Sequence, residues 1–140
     1  MNFISIISAL ISIISALISI VAAYLAIKNS KKRDCIEEIQ RARHGIYNVL
    51  NYGNDSRFYS RLAVATKILT NQCAKLNIQK YNANARPYYN SLEHNIKKLD
   101  NLREYYKFGT LIDDKTYNDL LTIIGSIINN LDNIYAELNK

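Results

Sequence analysis

The chain has 140 residues, with 18 Lys and Arg against 12 Asp and Glu, and its net charge at neutral pH is +6. This length allows one modest domain, or a small domain with a membrane anchor. Its two cysteines exclude a disulfide framework and indicate a reducing compartment.

The N-terminal segment predicts a single transmembrane helix over 1–27. Residues 3–27 carry no charge, and 14 of these 25 residues are Ile, Leu, Val or Phe. At about 1.5 Å per residue, such a helix spans a ~30 Å hydrocarbon core with some tilt.

Positive charge follows the span, in KNSKKR, whereas a cleaved signal peptide carries its positive charge before the apolar run. The positive-inside rule places the N-terminus outside and the rest in the cytoplasm, at a bacterial inner membrane.

A seven-residue word, ISIISAL, repeats within this span and places serine on one face of the helix. The serines that we predict to line a pore or to pack between helices are Ser5, Ser8, Ser12, Ser15 and Ser19. Serine as neutral filler, bonded to its own helix, would not keep to one face. Two interpretations of the serine face remain: close packing between helices, which places the serines against protein, and a wet pore, which places them against water. Alanines beside the serines widen this small face and favour a homo-oligomer larger than a dimer.

Residues 28–50 are predicted to continue the first helix as a basic juxtamembrane stalk. Its apolar stripe comprises Ile36, Ile39, Ile46 and Leu50. The turn NYGNDS precedes a second helix, with Asp55 or Ser56 as its N-cap. The predicted buried face of that helix comprises Phe58, Leu62, Ala65, Leu69, Cys73 and Leu76.

Two further helices complete a cytoplasmic helical domain over 51–140. Pro87 suits the first turn of the third helix, and Gly109 suits its C-terminus. The inner face of the third helix is predicted to comprise Leu92, Ile96, Leu99 and Tyr106. The fourth starts near Asp113 or Asp114 and has a heptad seam of Tyr117, Leu121, Ile124, Ile128, Leu131, Tyr135 and Leu138. A second stripe, Leu120, Ile127 and Ile134, predicts packing on two neighbours, so the fold class is all-α with about three to four helices in the bundle.

Charge is unevenly distributed along the cytoplasmic part. Residues 39–92 hold eight basic side chains and one acidic one, whereas residues 99–140 hold four basic and seven acidic ones. Arg for phosphates and Tyr for base stacking favour an oligonucleotide or cyclic nucleotide as ligand. The alternatives are anionic lipid headgroups for the basic residues and core packing for the tyrosines. The candidate ligand-binding residues are Arg41, Arg43, Arg57, Arg61, Lys75, Lys80, Arg86, Tyr59, Tyr88 and Tyr89.

Catalytic motifs are missing from the sequence. It has no Gly-rich phosphate loop, no HExxH, no nucleophile elbow and no Cys/His metal spacing, and His44 and His94 are isolated. We therefore expect no enzymatic activity, no cofactor and no bound metal.

The plan of one N-terminal span, the KNSKKR flank and a basic helical region over 39–92 resembles small membrane effectors of bacterial anti-phage systems. The Hailong-type oligonucleotide-sensing channels and the membrane effectors of some type III CRISPR systems share this outline. The resemblance is architectural and transfers no binding residue. It implies an oligomeric channel controlled by a nucleotide signal that a nucleotidyltransferase produces. A membrane-anchored interaction protein without conductance is the alternative.

The predicted orientation can be tested with the two cysteines. Because the positive flank follows the span, Cys35 and Cys73 should both be cytoplasmic. A membrane-impermeant thiol reagent should leave them unlabelled in intact cells and label any accessible thiol after permeabilisation. Labelling of either cysteine in intact cells would contradict the predicted orientation.

Overall fold

The part of the chain that the structure describes is almost entirely helical. This computed structural model describes residues 2–75, 83–106 and 113–140, including the side chains of 2–71, 83–102 and 113–140. The helices are α1 (Phe3–Asn48), α2 (Ser56–Lys75), α3 (Arg86–Tyr106) and α4 (Asp114–Leu138), with short 3-10 turns at Val49–Asn51 and Ala83–Ala85. The predicted all-α class is confirmed. The chain divides into two compact units, Met1–Asp34 and Cys35–Lys140.

The first unit is the N-terminal part of α1. None of the apolar side chains of residues 3–27 is buried. By length and composition, this helix is long and apolar enough to cross a membrane. It passes from the predicted span through the predicted stalk without a break and ends at Asn48.

Aspartates begin α2 and α4, as predicted. The Oδ1 atom of Asp55 accepts hydrogen bonds from the backbone N–H groups of Arg57 (2.9 Å) and Phe58 (3.1 Å). Asp113 accepts from the N–H of Thr116 at 2.8 Å. Each carboxylate satisfies backbone donors that the first helical turn leaves without partners, so both helix starts are encoded locally.

The core-facing stripe of α1 lies on different residues from those predicted. Ile39 and Ile46 are buried, but Leu50 is exposed and Ile36 only half-buried. The observed stripe, spaced alternately by four and three residues, is Cys35, Ile39, Ala42 and Ile46, and Val49 in the following 3-10 turn continues it. Cys35 and Ala42 escaped prediction because a thiol and a methyl group carry a weaker hydrophobic signal than the isoleucines beside them.

The most continuous apolar ridge of the second unit belongs to α4. The fully buried members are Leu120, Ile124, Ile127, Leu131, Ile134 and Leu138. This ridge merges the predicted second stripe with part of the predicted seam, while Tyr117, Leu121, Ile128 and Tyr135 are half-buried at its flanks. The deepest burial on α4 thus lies along the line between the two predicted stripes.

Helices α2 and α3 complete the core. Their buried residues include Phe58, Leu62, Ala65 and Leu69 on α2 and Leu92, Ile96 and Leu99 on α3, all as predicted. Pro87 lies in the first turn of α3. The predictions for the Cys73 and Tyr106 side chains, and for Leu76 and Gly109, lie outside the described residues.

Two polar side chains are buried in this core. Thr66 on α2 donates its hydroxyl to the carbonyl of Leu62 at 2.7 Å, so its burial is compensated. Asn130 on α4 is 6% exposed, and its Nδ2 atom has no hydrogen-bond partner among the described residues. An unpaired buried amide costs about 1–3 kcal/mol, so Asn130 is a local weakness in α4.

Gly125 offers a test of the exposed face of α4. It lies in the middle of the helix, and a Cβ atom there would meet nothing within 4 Å. Because glycine costs about 0.5–1 kcal/mol relative to alanine inside a helix, Gly125→Ala should raise the free energy of unfolding by about that amount. Urea unfolding of the detergent-solubilised chain, followed by circular dichroism, measures it. A loss of stability would show that another surface approaches this face closely.

Candidate functional site

The serine face of the span is fully accessible in the single chain. Ser12 donates its hydroxyl to the carbonyl of Ser8, and Ser19 donates to that of Ser15, both at 3.0 Å. These two hydroxyls are therefore satisfied within the helix and need no external acceptor. Their oxygens keep accepting capacity for water or for a neighbouring helix. The five predicted serines are all exposed, so none of the other described residues covers them.

Arg43 is neutralised by an aspartate from α4. Its guanidinium contacts the Asp132 carboxylate through Nε–Oδ1 (2.5 Å) and Nη2–Oδ2 (3.5 Å), and it lies 5.5 Å from the centre of the Tyr47 ring. The pair borders a groove of about 370 Å³ that His44 and Tyr135 also line. Both charged side chains are over 40% exposed, so the pair contributes at most about 1 kcal/mol to stability. An anionic ligand at Arg43 would have to displace Asp132.

Arg57 is partly neutralised by the N-cap of its own helix. Its Nη2 atom lies 3.1 Å from Oδ2 of Asp55, and its guanidinium lies 5.8 Å from the centre of the Tyr52 ring. Hydrogen bonds from the Phe58 N–H and from the Arg57 side chain lower the pKa of Asp55 below its usual value. Asp55 therefore stays charged at neutral pH and continues to share Arg57.

Arg61 differs from both, because it has no ion pair or hydrogen bond among the described residues. It lies one helical turn after Arg57, and the two side chains line one small notch, as their spacing predicted. The notch measures about 180 Å³, and its lining residues are Tyr52, Ser56, Arg57, Ser60 and Arg61. Each of these five side chains can donate a hydrogen bond, and two carry a full positive charge.

A larger groove of about 420 Å³ adjoins the notch and shares Tyr52 and Arg61 with it. Its remaining lining residues are Gly45, Asn48, Val49, Asn51, Val64, Ala65 and Ile68. No described carboxylate lines either cavity. The combination of an apolar floor, two side-chain amides and an unpaired guanidinium suits a ligand that is partly apolar and partly anionic.

The three candidate tyrosines are placed as core-flanking residues. Tyr59, Tyr88 and Tyr89 are half-buried and pack against the core. The Tyr59 hydroxyl hydrogen-bonds to Oδ1 of Asn54, and its ring meets Phe58 edge-on at 5.2 Å. Burial, reinforced by nearby Tyr117 and acidic groups, raises the pKa of the Tyr59 hydroxyl. Tyr59 therefore does not face the notch that Arg57 and Arg61 line.

The other basic candidates are dispersed. Arg41 on α1 and Arg86 at the start of α3 are exposed and line none of the three cavities described above. The Lys75 side chain and Lys80 lie outside the described residues. The structure thus brings Arg57 and Arg61 together and separates Arg43 from them into a different groove.

Sequence reasoning missed the neutral residues of the notch. Ser56 and Ser60 share the spacing of Arg57 and Arg61, so four polar side chains cluster in the first two turns of α2. That spacing was visible once Asp55 was taken as the N-cap. The sequence does not indicate that Tyr52 lines the notch, because its position depends on how the turn after α1 folds back toward α2.

Cys35 is a structural thiol. It is 3% exposed, and burial, with a smaller contribution from Glu38, raises the pKa of the thiol from 9.0 to about 11. The thiol is therefore protonated and inaccessible at neutral pH, which makes it unreactive toward acylation or a labelling reagent. Among the described residues, no group of three or more His, Cys, Asp or Glu could hold a metal ion.

Comparisons with protein families, with curated proteins and with solved structures found no match.

The buried thiol predicts a loss of stability at alkaline pH. Because the folded-state pKa lies above the unfolded value, the contribution of Cys35 is fully present below about pH 9 and is lost as pH rises through about 11. Two pKa units correspond to about 2–3 kcal/mol. Urea unfolding at both ends of this window should show that component in the wild type and lack it in Cys35→Ala. Equal pH dependence in the two proteins would contradict the assignment.

Proposed function

We propose that this protein is an oligomeric membrane effector whose serine-lined pore is controlled by a nucleotide or oligonucleotide bound to its basic cytoplasmic unit. The observation that carries the proposal is a helix of membrane-spanning length whose serines recur on one face at heptad spacing. The N-terminus lies outside a bacterial inner membrane in this proposal. Its setting in anti-phage defence follows from the architectural resemblance alone.

The apolar side chains and the serines of the span favour different surroundings. Lipid covers the Ile and Leu side chains, and each of these favours insertion by about 0.3–0.6 kcal/mol. A hydroxyl-bearing face gains nothing from lipid, but it allows close helix approach or contact with water. Internal hydrogen bonds at Ser12 and Ser19 lower the cost of insertion before assembly. Because the uncharged serines give a pore no fixed charge, we expect weak ion selectivity.

Control by an anionic ligand is supported by the charge of the second unit. Arg57 and Arg61 line one notch, and Arg61 is not neutralised by any described residue. In a symmetric oligomer this cluster is repeated around the axis, and the copies repel each other. An anionic ligand that reduces this repulsion would change the arrangement of the subunits and hence the conductance.

An alternative function is favoured by apolar side chains on the surface of the second unit. Tyr47 and Leu50 near the end of α1, and Val64 and Ile68 on α2, are 37–58% exposed. Exposed apolar side chains of this kind occur at protein–protein contacts. A membrane-anchored interaction protein that recruits a cytoplasmic partner would use such a surface and would not conduct.

Conductance separates the two functions. Purified protein in a planar bilayer should give single-channel currents if the span forms a pore, and none if it is only an anchor.

Orientation is best tested with Ser126→Cys, an exposed site on α4, in a Cys73→Ala background, because the buried Cys35 cannot report it.

The serine face predicts a specific loss of conductance. Ser12→Leu with Ser15→Leu adds apolar surface, so insertion should be retained. Current should be abolished, because a packed or wet seam cannot accept two larger side chains per helix without strain.

The matched control is Ile13→Leu with Ile14→Leu, which lie off the serine face and keep their volume. These substitutions should leave conductance near the wild-type value. Equal behaviour of the two double variants would show that the serine face has no special role.

A further inference from the structure

The notch at the start of α2 has the composition of a phosphate site. Its five lining side chains supply two guanidinium groups, two serine hydroxyls and one phenol, and no described carboxylate lines it. A volume of about 180 Å³ accommodates a tetrahedral oxyanion with some of its water. Arginine forks and hydroxyl donors match the several acceptor oxygens of a phosphate group.

The two arginines of the notch differ in availability. Arg57 pairs with Asp55 at 3.1 Å and lies over the Tyr52 ring, so part of its charge is already engaged within the chain. Arg61 is exposed and has no charged partner among the described residues. A phosphate could thus gain a full charge pair with Arg61 and share Arg57 with Asp55.

The adjoining groove gives the rest of a ligand a place to lie. Val49, Val64, Ala65 and Ile68 supply its apolar surface, and Asn48 and Asn51 supply amide groups. Gly45 lines the groove, and a Cβ atom there would meet nothing within 4 Å. The space beside the glycine is therefore open, in the same groove that Arg61 lines.

We propose that the notch binds the phosphate of an organic phosphate monoester and that the adjoining groove holds its apolar or flat organic part. This inference rests on the proposed function, because it names the site and the chemistry of the controlling ligand. Two sources carry such a group: a soluble nucleoside monophosphate and the headgroup of a phospholipid such as phosphatidic acid.

Binding is measured by calorimetry on full-length protein in phosphatidylcholine nanodiscs. Adenosine 5′-monophosphate, adenosine and inorganic phosphate are titrated separately, and the nucleotide titration is repeated in nanodiscs that contain phosphatidic acid. We expect the monophosphate to bind more tightly than either of its parts. Weakened nucleotide binding in phosphatidic acid would identify the lipid headgroup as a competing source of the same group.

The decisive variant is Arg61→Gln, which removes the unpaired charge and leaves the Asp55 cap intact. It should weaken monophosphate binding at least about tenfold, because one charge-assisted contact is lost. Arg41→Gln and Arg86→Gln, which change exposed arginines outside the notch, should bind like wild type. Unfolding midpoints of all three should stay close to the wild-type value.

Gly45→Leu tests the groove separately from the notch. The leucine should fill the open space and reduce monophosphate affinity to that of inorganic phosphate, while phosphate binding itself is retained. Adenosine binding as tightly as its monophosphate, or Arg61→Gln binding like Arg41→Gln, would overturn the proposal. So would a lack of binding by both the monophosphate and phosphatidic acid.

Conductance distinguishes failure of this site from failure of the pore. Specific phosphate binding by a protein that never conducts would retain the site and refute the channel. Current that is insensitive to Arg61→Gln, in a protein that binds none of the phosphate probes, would retain the pore and refute the site.

Discussion

The exposed apolar surface of the N-terminal helix is the constraint on which the rest of this molecule depends. Its 14 Ile, Leu, Val and Phe residues between 3 and 27 are all exposed among the described residues. At roughly 25 cal/mol for each Å² of apolar surface, water is an unfavourable solvent for such a helix. Cover by lipid or by other copies of the chain is the proposal that answers this constraint, with the serine repeat marking the face that lipid would not cover.

The second unit is held together by apolar burial rather than by charge. Each fully buried Leu or Ile contributes roughly 1.5–3 kcal/mol, and α4 alone has six such residues in its ridge. The exposed Arg43–Asp132 pair contributes at most about 1 kcal/mol. Surface charges are thus available for recognition, because the fold does not depend on them.

Two aspartates engage two of the arginines of the basic region. Asp132 forms an ion pair with Arg43, and Asp55 forms one with Arg57. Arg61, which lines two adjoining cavities, has no ion pair among the described residues. The candidate tyrosines lie at the edge of the core instead of forming an open stacking surface. The geometry therefore favours a compact phosphate contact over an extended track for a nucleic-acid strand.

The sequence by itself determined the helical class, the apolar span, the start of α2 after Asp55 or Ser56, the start of α4 near Asp113 or Asp114, and most of the buried faces. These features depend on helical periodicity and on contacts within a few residues, which the order of residues shows directly. The sequence predicts the buried residues of α1 less accurately, because Cys35 and Ala42 carry little hydrophobic signal. Only the tertiary structure decided which arginines are free. Arg43 meets a partner 89 residues away, and Tyr52 reaches the notch through a turn whose path no local pattern specifies.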